Sequence, residues 1–387
     1  MDVLGVSWYR AGRPAHERRN GLSSLDTAEP GSATTPPLTP EELGLATRNH
    51  GFLLEALRYS VTPVGLHYLL THYDVPQVDM STWALEIGGL VERPLRLTMD
   101  DLRSRPPVTR AVTMECAGNG RMNMSPRAIS QPWGVEAVGN AEWTGVRLSS
   151  LLEEAGLRDE VVEVLFTGLD KGVENNVKQL YERSLTLDEA FREEVMLAYA
   201  VNGGPLPPQH GFPLRLLVPG WYGMTSVKWL ASIEAIDTPY DGYQQSYAYR
   251  LRQEADEPGE ALNRMRPRSL MIPPGVPDFM TRHRSVPPGP TTLEGRAWSG
   301  FAPIARVEVS TDGGETWADA ELGPQPDRYA WVGWTAPWDA KPGEYELCVR
   351  ATDADGNCQP LDAEADWNLG GYACNAVHRV TATVDPA

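Results

Sequence analysis

The chemistry open to this chain centres on Cys116, which stands in the stretch TMECAGNGR at positions 113–121. A strand-like AVTME run leads into it, Ala117, Gly118, Asn119 and Gly120 make a turn, and Arg121 closes the motif. Small residues after a cysteine let backbone N–H groups and a bulky ligand approach closely. A thiolate is a soft metal ligand, and a neighbouring arginine favours the ionised form. On these local grounds three readings stay open: a structural buried thiol, a metal or cofactor ligand, or a redox or nucleophilic cysteine.

A second stretch bears on the choice. NGGPLPPQHGFPLRLLVPGWYGMTSVKWL at 202–230 sets Asn202, His210, Arg215 and Lys228 around an apolar run bounded by turn residues. Each has a plain explanation alone. Three basic groups beside a buried strand are harder to dismiss, because uncompensated buried charge is costly and an anionic ligand is its natural counterpart. Cys348, Cys358 and Cys374 lie in a later β-rich segment and form no CxxC pair with each other or with Cys116. That excludes zinc ribbons, thioredoxin chemistry and CxxCH haem attachment, and predicts buried free thiols.

Alternating short strands and helices must position these residues. WALEIGGLV (83–91) and VVEVLFTGL (161–169) read as strands, and HGFPLRLLVPG (210–220) as a buried one. VRLSSLLEEAGL (146–157) places Leu148, Leu151, Leu152 and Ala155 on one helical face, with Gly156 as a stop. TPEE at 39–42 is a helix start, with Thr39 as N-cap, Pro40 at the first position and Glu42 reaching back. The expected order is an N-terminal arm over 1–44, a mixed α+β domain over 45–250, a proline-rich connector over 251–290 and a β-sandwich over 291–387. The last rests on RVEVS, a DGG turn, a run beginning at Trp317, then YAWVGWTAP and YELCVRATDADGN at immunoglobulin-like spacing.

The composition narrows the partners. A formal net charge of −18 repels nucleic acid and anionic membranes. Screening beyond about 10 Å still permits a local basic pocket. No run approaches the length of a membrane span. No secretory segment is visible either: the Arg18-Arg19 pair is followed by GLSSLDTAEPGS, not an apolar run. A cytoplasmic location is the expectation.

CAGNGR together with 202–230 resembles the molybdopterin-binding domain of the sulfite oxidase family. WSGFAPIARVEVSTDGGETWADAEL, RATDADGNCQP and WNLGGYACNAVHRVTATV resemble that family's immunoglobulin-like dimerisation domain. The resemblance implies an α+β fold and a molybdenum–molybdopterin cofactor. It implies oxidation of sulfite to sulfate by oxygen-atom transfer, a homodimer, and a separate electron acceptor, since no haem module is visible. Reduction of S- or N-oxides and oxidation of sulfane sulfur are the alternatives on the same fold. It assigns Cys116 as the molybdenum ligand and Arg121 to the substrate-anion pocket. His72 (in THYDVP), Asp170 (in FTGLD), His210, Arg215 and Lys228 would contact the cofactor, and Tyr247 (in GYQQSY) would face its oxo groups. One departure stands out: Leu70-Thr71-His72 lacks the arginine that the family pattern places before the histidine. An Arg48-Asn49-His50 sequence occurs some twenty residues earlier, either folding back into the pocket or standing there by coincidence. His67, five residues before His72, reads as structural.

Overall fold

A computed structural model describes residues 37–386 apart from Asn175. Residues 1–36 of the expected arm, with the Arg18-Arg19 pair, lie outside the described residues. The arm's last residues are not an arm. Thr39 caps a helix over Pro40–Arg48 with the full reciprocal capping box, and Glu42 is 0% exposed, ion-paired with Arg127. A buried carboxylate is tolerable only with such a partner.

Two five-stranded sheets carry the first part of the chain. In one, the strands run in the order Leu95–Leu97, Leu85–Gly89, Leu230–Ile236, Glu163–Glu174 and Val177–Thr186, with Leu85–Gly89 and Leu230–Ile236 parallel. The other joins Val108–Glu115, Val138–Arg147, Met196–Val201 and Gly204–Pro205, with Arg215–Leu217 also on Met196–Val201. Their inner faces share one core, in which Ile87, Phe166 and Ile233 meet Val146, Leu197 and Leu216. The helix Leu148–Ala155 buries the four residues expected of it, and Gly156 ends it at φ +69°. Each buried leucine there contributes roughly 2 kcal/mol.

The second part is a sandwich. One sheet pairs Arg268–Met271, Gly289–Trp298, Val332–Ala340 and Glu321–Leu322. Its partner runs Val276–Pro277, Arg284–Val286, His378–Val384, Gly343–Asp353, Ile304–Ser310 and Ala318–Asp319. Arg268–Met271 and Arg284–Val286 belong to the segment read as a connector, so part of that segment is sandwich strand. The mixed α+β architecture with an immunoglobulin-like sandwich is the one expected. Among the described residues no helix is long and apolar enough to cross a membrane. Cys348 and Cys374 are buried free thiols as expected, whereas Cys358 is exposed.

Candidate active site

Cys116 leaves the end of the Val108–Glu115 strand and is held by its own N–H to the Ala137 carbonyl at 2.9 Å. Asn119 N–H returns to the Cys116 carbonyl at 3.0 Å, closing the turn. The glycines are required: a Cβ on Gly118 would lie 2.6 Å from the Arg121 guanidinium, and Gly120 sits at φ +92°. Asn119 also donates to Glu115 Oε1 at 3.0 Å. Glu115 accepts from Trp298 Nε1 at 2.9 Å and pairs with buried Arg268 at 2.7 Å. Residues of the sandwich thus hold the strand end that presents the cysteine.

Two adjoining cavities meet at Cys116, His72 and Tyr249, which line both. The inner one is walled by His67, Asp170, His210, Arg215 and Lys228. These residues arrive from different elements. Arg215 begins a strand, Lys228 stands two residues before another, and Asp170 sits where the ladder between Glu163–Glu174 and Val177–Thr186 loses register. Such a bulge re-aims a side chain out of the sheet.

The inner wall is short of partners. Arg215 donates to the His210 and Ser226 carbonyls at 3.1 and 3.0 Å and lies over Trp143, yet its Nε has no acceptor. Among the described residues, Lys228 donates only to the Leu70 and Gln209 carbonyls, at 2.8 and 3.1 Å. Neither cation has a carboxylate within 4.0 Å among the described residues. Asp170 Oδ1 and His67 Nε2 are buried without a hydrogen-bond partner among the described residues. Burial pushes Arg215 down to about 10. Burial also pushes Lys228 down and Asp170 up, each opposed by the other's charge. The histidines are held neutral: burial first, then neighbouring cations, takes His72 to about 3, while burial and then His67 and Arg215 take His210 to about 2. Burial takes His67 to about 4. Two buried cations and several unsatisfied polar atoms call for an anionic, hydrogen-bonding ligand. A pterin bearing a phosphate has that chemistry, so the residues fit it.

Burial raises the Cys116 thiol, against the Gly118 N–H and Arg121. An unaided thiol here is a poor nucleophile, whereas a coordinated metal removes the proton outright.

The outer cavity, of about 290 Å³, adds Arg48, Arg121, Glu174 and Tyr372 to the shared wall. Arg121 is buried, donates to the Gln131 carbonyl at 2.8 Å and to the Gly370 carbonyl at 3.2 and 3.3 Å, and lies 5.4 Å from the Tyr372 ring centre. Tyr247 does not face this site. It is 46% exposed, tilted against the Tyr243 ring and covered by Arg252. Tyr249, two residues on, is 8% exposed and bonds His72 Nε2 through its hydroxyl at 2.5 Å. The backbone enters the left-handed region at Tyr249 (φ +52°), which turns that ring inward. His67, read as structural, lies on the inner wall. Asn202 is structural, holding Thr62 and Glu142 backbone groups. Sequence reasoning misses Tyr372, because WNLGGYACNAVH reads as part of the sandwich alone.

This fold and this pair of cavities define a molybdopterin-binding oxidoreductase. Residues 72–244 match the family described as oxidoreductase molybdopterin binding domain, and residues 260–385 the Mo-co oxidoreductase dimerisation domain. The chain is 34% identical over 352 residues to a sulfite oxidase of Arabidopsis thaliana, covering 83% of itself and 87% of that protein. It is 33% identical over 377 residues to an NADH nitrate reductase of Oryza sativa subsp. japonica, covering 90% of itself and 40% of that much longer protein. Among solved structures, the sulfane dehydrogenase SoxCD from Paracoccus pantotrophus superposes with a TM-score of 0.74 at 27% identity, over 97% of this chain and 100% of that one. The chain belongs to the sulfite oxidase family.

Proposed function

We propose that the protein oxidises sulfite to sulfate at a molybdenum–molybdopterin cofactor and passes the electrons to a separate acceptor. The observation carrying this reading is the junction at Cys116: a buried thiol, which a bound metal would ionise, between an unpaired cationic cradle and an outer cavity bearing Arg121. Cys116 would bind the metal, and His72, Asp170, His210, Arg215 and Lys228 would hold the pterin and its phosphate. Bound there, the cofactor supplies a two-electron centre able to transfer oxygen.

The chain's own part is placement and charge. Arg121, fixed by the Gln131 and Gly370 carbonyls, holds the oxyanion against its own repulsion as it nears the centre. Burial keeps Tyr249 a neutral phenol and His72 a neutral imidazole, so the two share one hydrogen bond at 2.5 Å without a charge on either ring. Overall, sulfite and water give sulfate, two protons and two electrons. We also read the protein as a homodimer formed through residues 260–385, on the strength of the dimerisation-domain match.

A second reading, oxidation of sulfane sulfur on a larger carrier, is favoured by the apolar Leu70 on the wall of both cavities and by the likeness to SoxCD. Elemental analysis alongside sulfite-dependent ferricyanide reduction tests the two. About one molybdenum per chain with sulfite turnover is the expected result. Molybdenum without sulfite turnover, but with activity on a sulfane or with nitrate reduction by a reduced dye, would overturn the first reading.

A further inference from the structure

The helix over Pro40–Arg48 lies against the outer cavity, and its final residue is one of the charged groups on the wall. The helix is not free to drift. Glu42, fully buried, is paired with the equally buried Arg127 side chain. The next residue, Asn49, locks the helix end to the cavity. Its Oδ1 accepts from Thr71 N–H at 2.8 Å, next to His72, and its Nδ2 donates to Gln131 Oε1 at 3.0 Å. Gln131 is the residue whose carbonyl receives Arg121 Nη1. A backbone bridge from His50 to Leu69 completes the return. Through Asn49 and Gln131, Arg48 and Arg121 are therefore set on one frame, although 73 positions separate them in the chain.

The charges on this wall make Arg48 matter. Arg121 shares this wall with Glu174, which Tyr73 and Gln244 hold at 3.2 and 3.0 Å. His72 is neutral, held so by burial first and then by the charges of Lys228 and Arg48. With Arg121 and Glu174 alone, an entering anion would meet no net charge. Arg48 has no carboxylate within 4.0 Å among the described residues, so its charge is available to a ligand.

We propose that Arg48 is a substrate-binding residue that supplies the second guanidinium of the oxyanion pocket from the N-terminal helix, with Asn49 as its positioning residue. This rests on the oxyanion reading above. It also places a specificity element outside the region of either family match, which begins at residue 72. Being exposed at the cavity mouth, Arg48 acts on capture more than on the chemical step.

The test uses the molybdenum-loaded enzyme and two probes: the KM for sulfite and the calorimetric affinity for sulfate, which needs no turnover. Arg48→Gln, a change at an exposed helix end, raises KM and weakens sulfate binding by about tenfold, with kcat within about twofold. Arg48→Lys recovers part of the loss, since a lysine restores charge but not the planar fork. Asn49→Ala reproduces the Arg48→Gln effect, and the double variant is no worse than Arg48→Gln alone. Sulfite turnover with KM and sulfate affinity unchanged in Arg48→Gln overturns the proposal and leaves the sulfite reading standing. Sulfate binding that depends on Arg48 in an enzyme inert toward sulfite overturns the sulfite reading and leaves the anion site.

Discussion

At the scale of single residues, the site separates an inner wall carrying Arg215 and Lys228 from an outer cavity bearing Arg121, and Cys116 belongs to both. Cys116→Ser replaces a soft ligand by a hydroxyl of nearly the same size. Sulfite oxidation should fall at least about a hundredfold, with metal content reduced, while folding stability changes by only about 1 kcal/mol. Wild-type turnover in that variant would exclude the cysteine as ligand. The two tyrosines give a sharper contrast. Tyr249→Phe removes the hydroxyl bonded to His72 and should lower kcat by about tenfold, whereas Tyr247→Phe, on the surface, should leave kinetics unchanged. The reverse pattern would mean the chain turns inward at Tyr247 when the cofactor is bound. GYQQSYAY carries three tyrosines within seven positions, and only the left-handed turn at Tyr249 decides which one faces in. No local pattern announces such a turn in a residue other than glycine.

At the scale of elements, strong local signals were legible and long-range pairings were not. The Leu148–Ala155 helix follows from its apolar spacing, and the helix at Pro40 from its cap, because both depend on neighbours in sequence. Arg268–Met271 could not be read as a strand, since it is defined by pairing with Gly295–Trp298 across a proline-rich stretch without period. The same strand has a second support: His378 Nδ1 accepts from the Met271 N–H at 3.0 Å. That bond requires a neutral ring, and burial, then Arg268, depresses His378 to about 3. The unfolded chain binds its proton near pH 6.5. Stability from this group is therefore complete above about pH 6.5 and declines as pH falls toward about 3, at up to about 1.4 kcal/mol per pH unit. Urea unfolding between pH 7 and 5 should show this decline. In His378→Gln, where an amide oxygen can accept the same bond, the slope should be shallower by up to one proton. An unchanged slope would place the titration on other groups.

At the scale of the whole molecule, the sandwich has two surfaces of different character. One is joined to the catalytic part through Glu115–Arg268, Trp298, and the Gly370 and Tyr372 contacts with Arg121, so it is internal to each chain. Elsewhere, the loop joining Val276–Pro277 to Arg284–Val286 leaves Phe279 and Met280 86% and 81% exposed, beside Val276 at 66%. Its base is pinned by Glu55 to Arg282 at 2.7 Å and to Arg284 at 3.0 Å, so the tip is presented on a braced support. A clustered aromatic and methionine left in water is the pattern of a contact surface. The loop lies within the segment matched to a dimerisation domain, which makes a second copy of the chain the occupant to test. In a two-fold contact each substitution acts on both protomers. Removing Phe279 alone should cost about 2 kcal/mol, roughly a thirtyfold loss of affinity. Phe279→Ser with Met280→Ser should therefore shift the mass measured by light scattering from two chains toward one, with sulfite turnover per molybdenum retained because neither residue lines a cavity. A variant that stays dimeric would move the interface to another face of the sandwich, and a wild type of single-chain mass would remove the dimer itself.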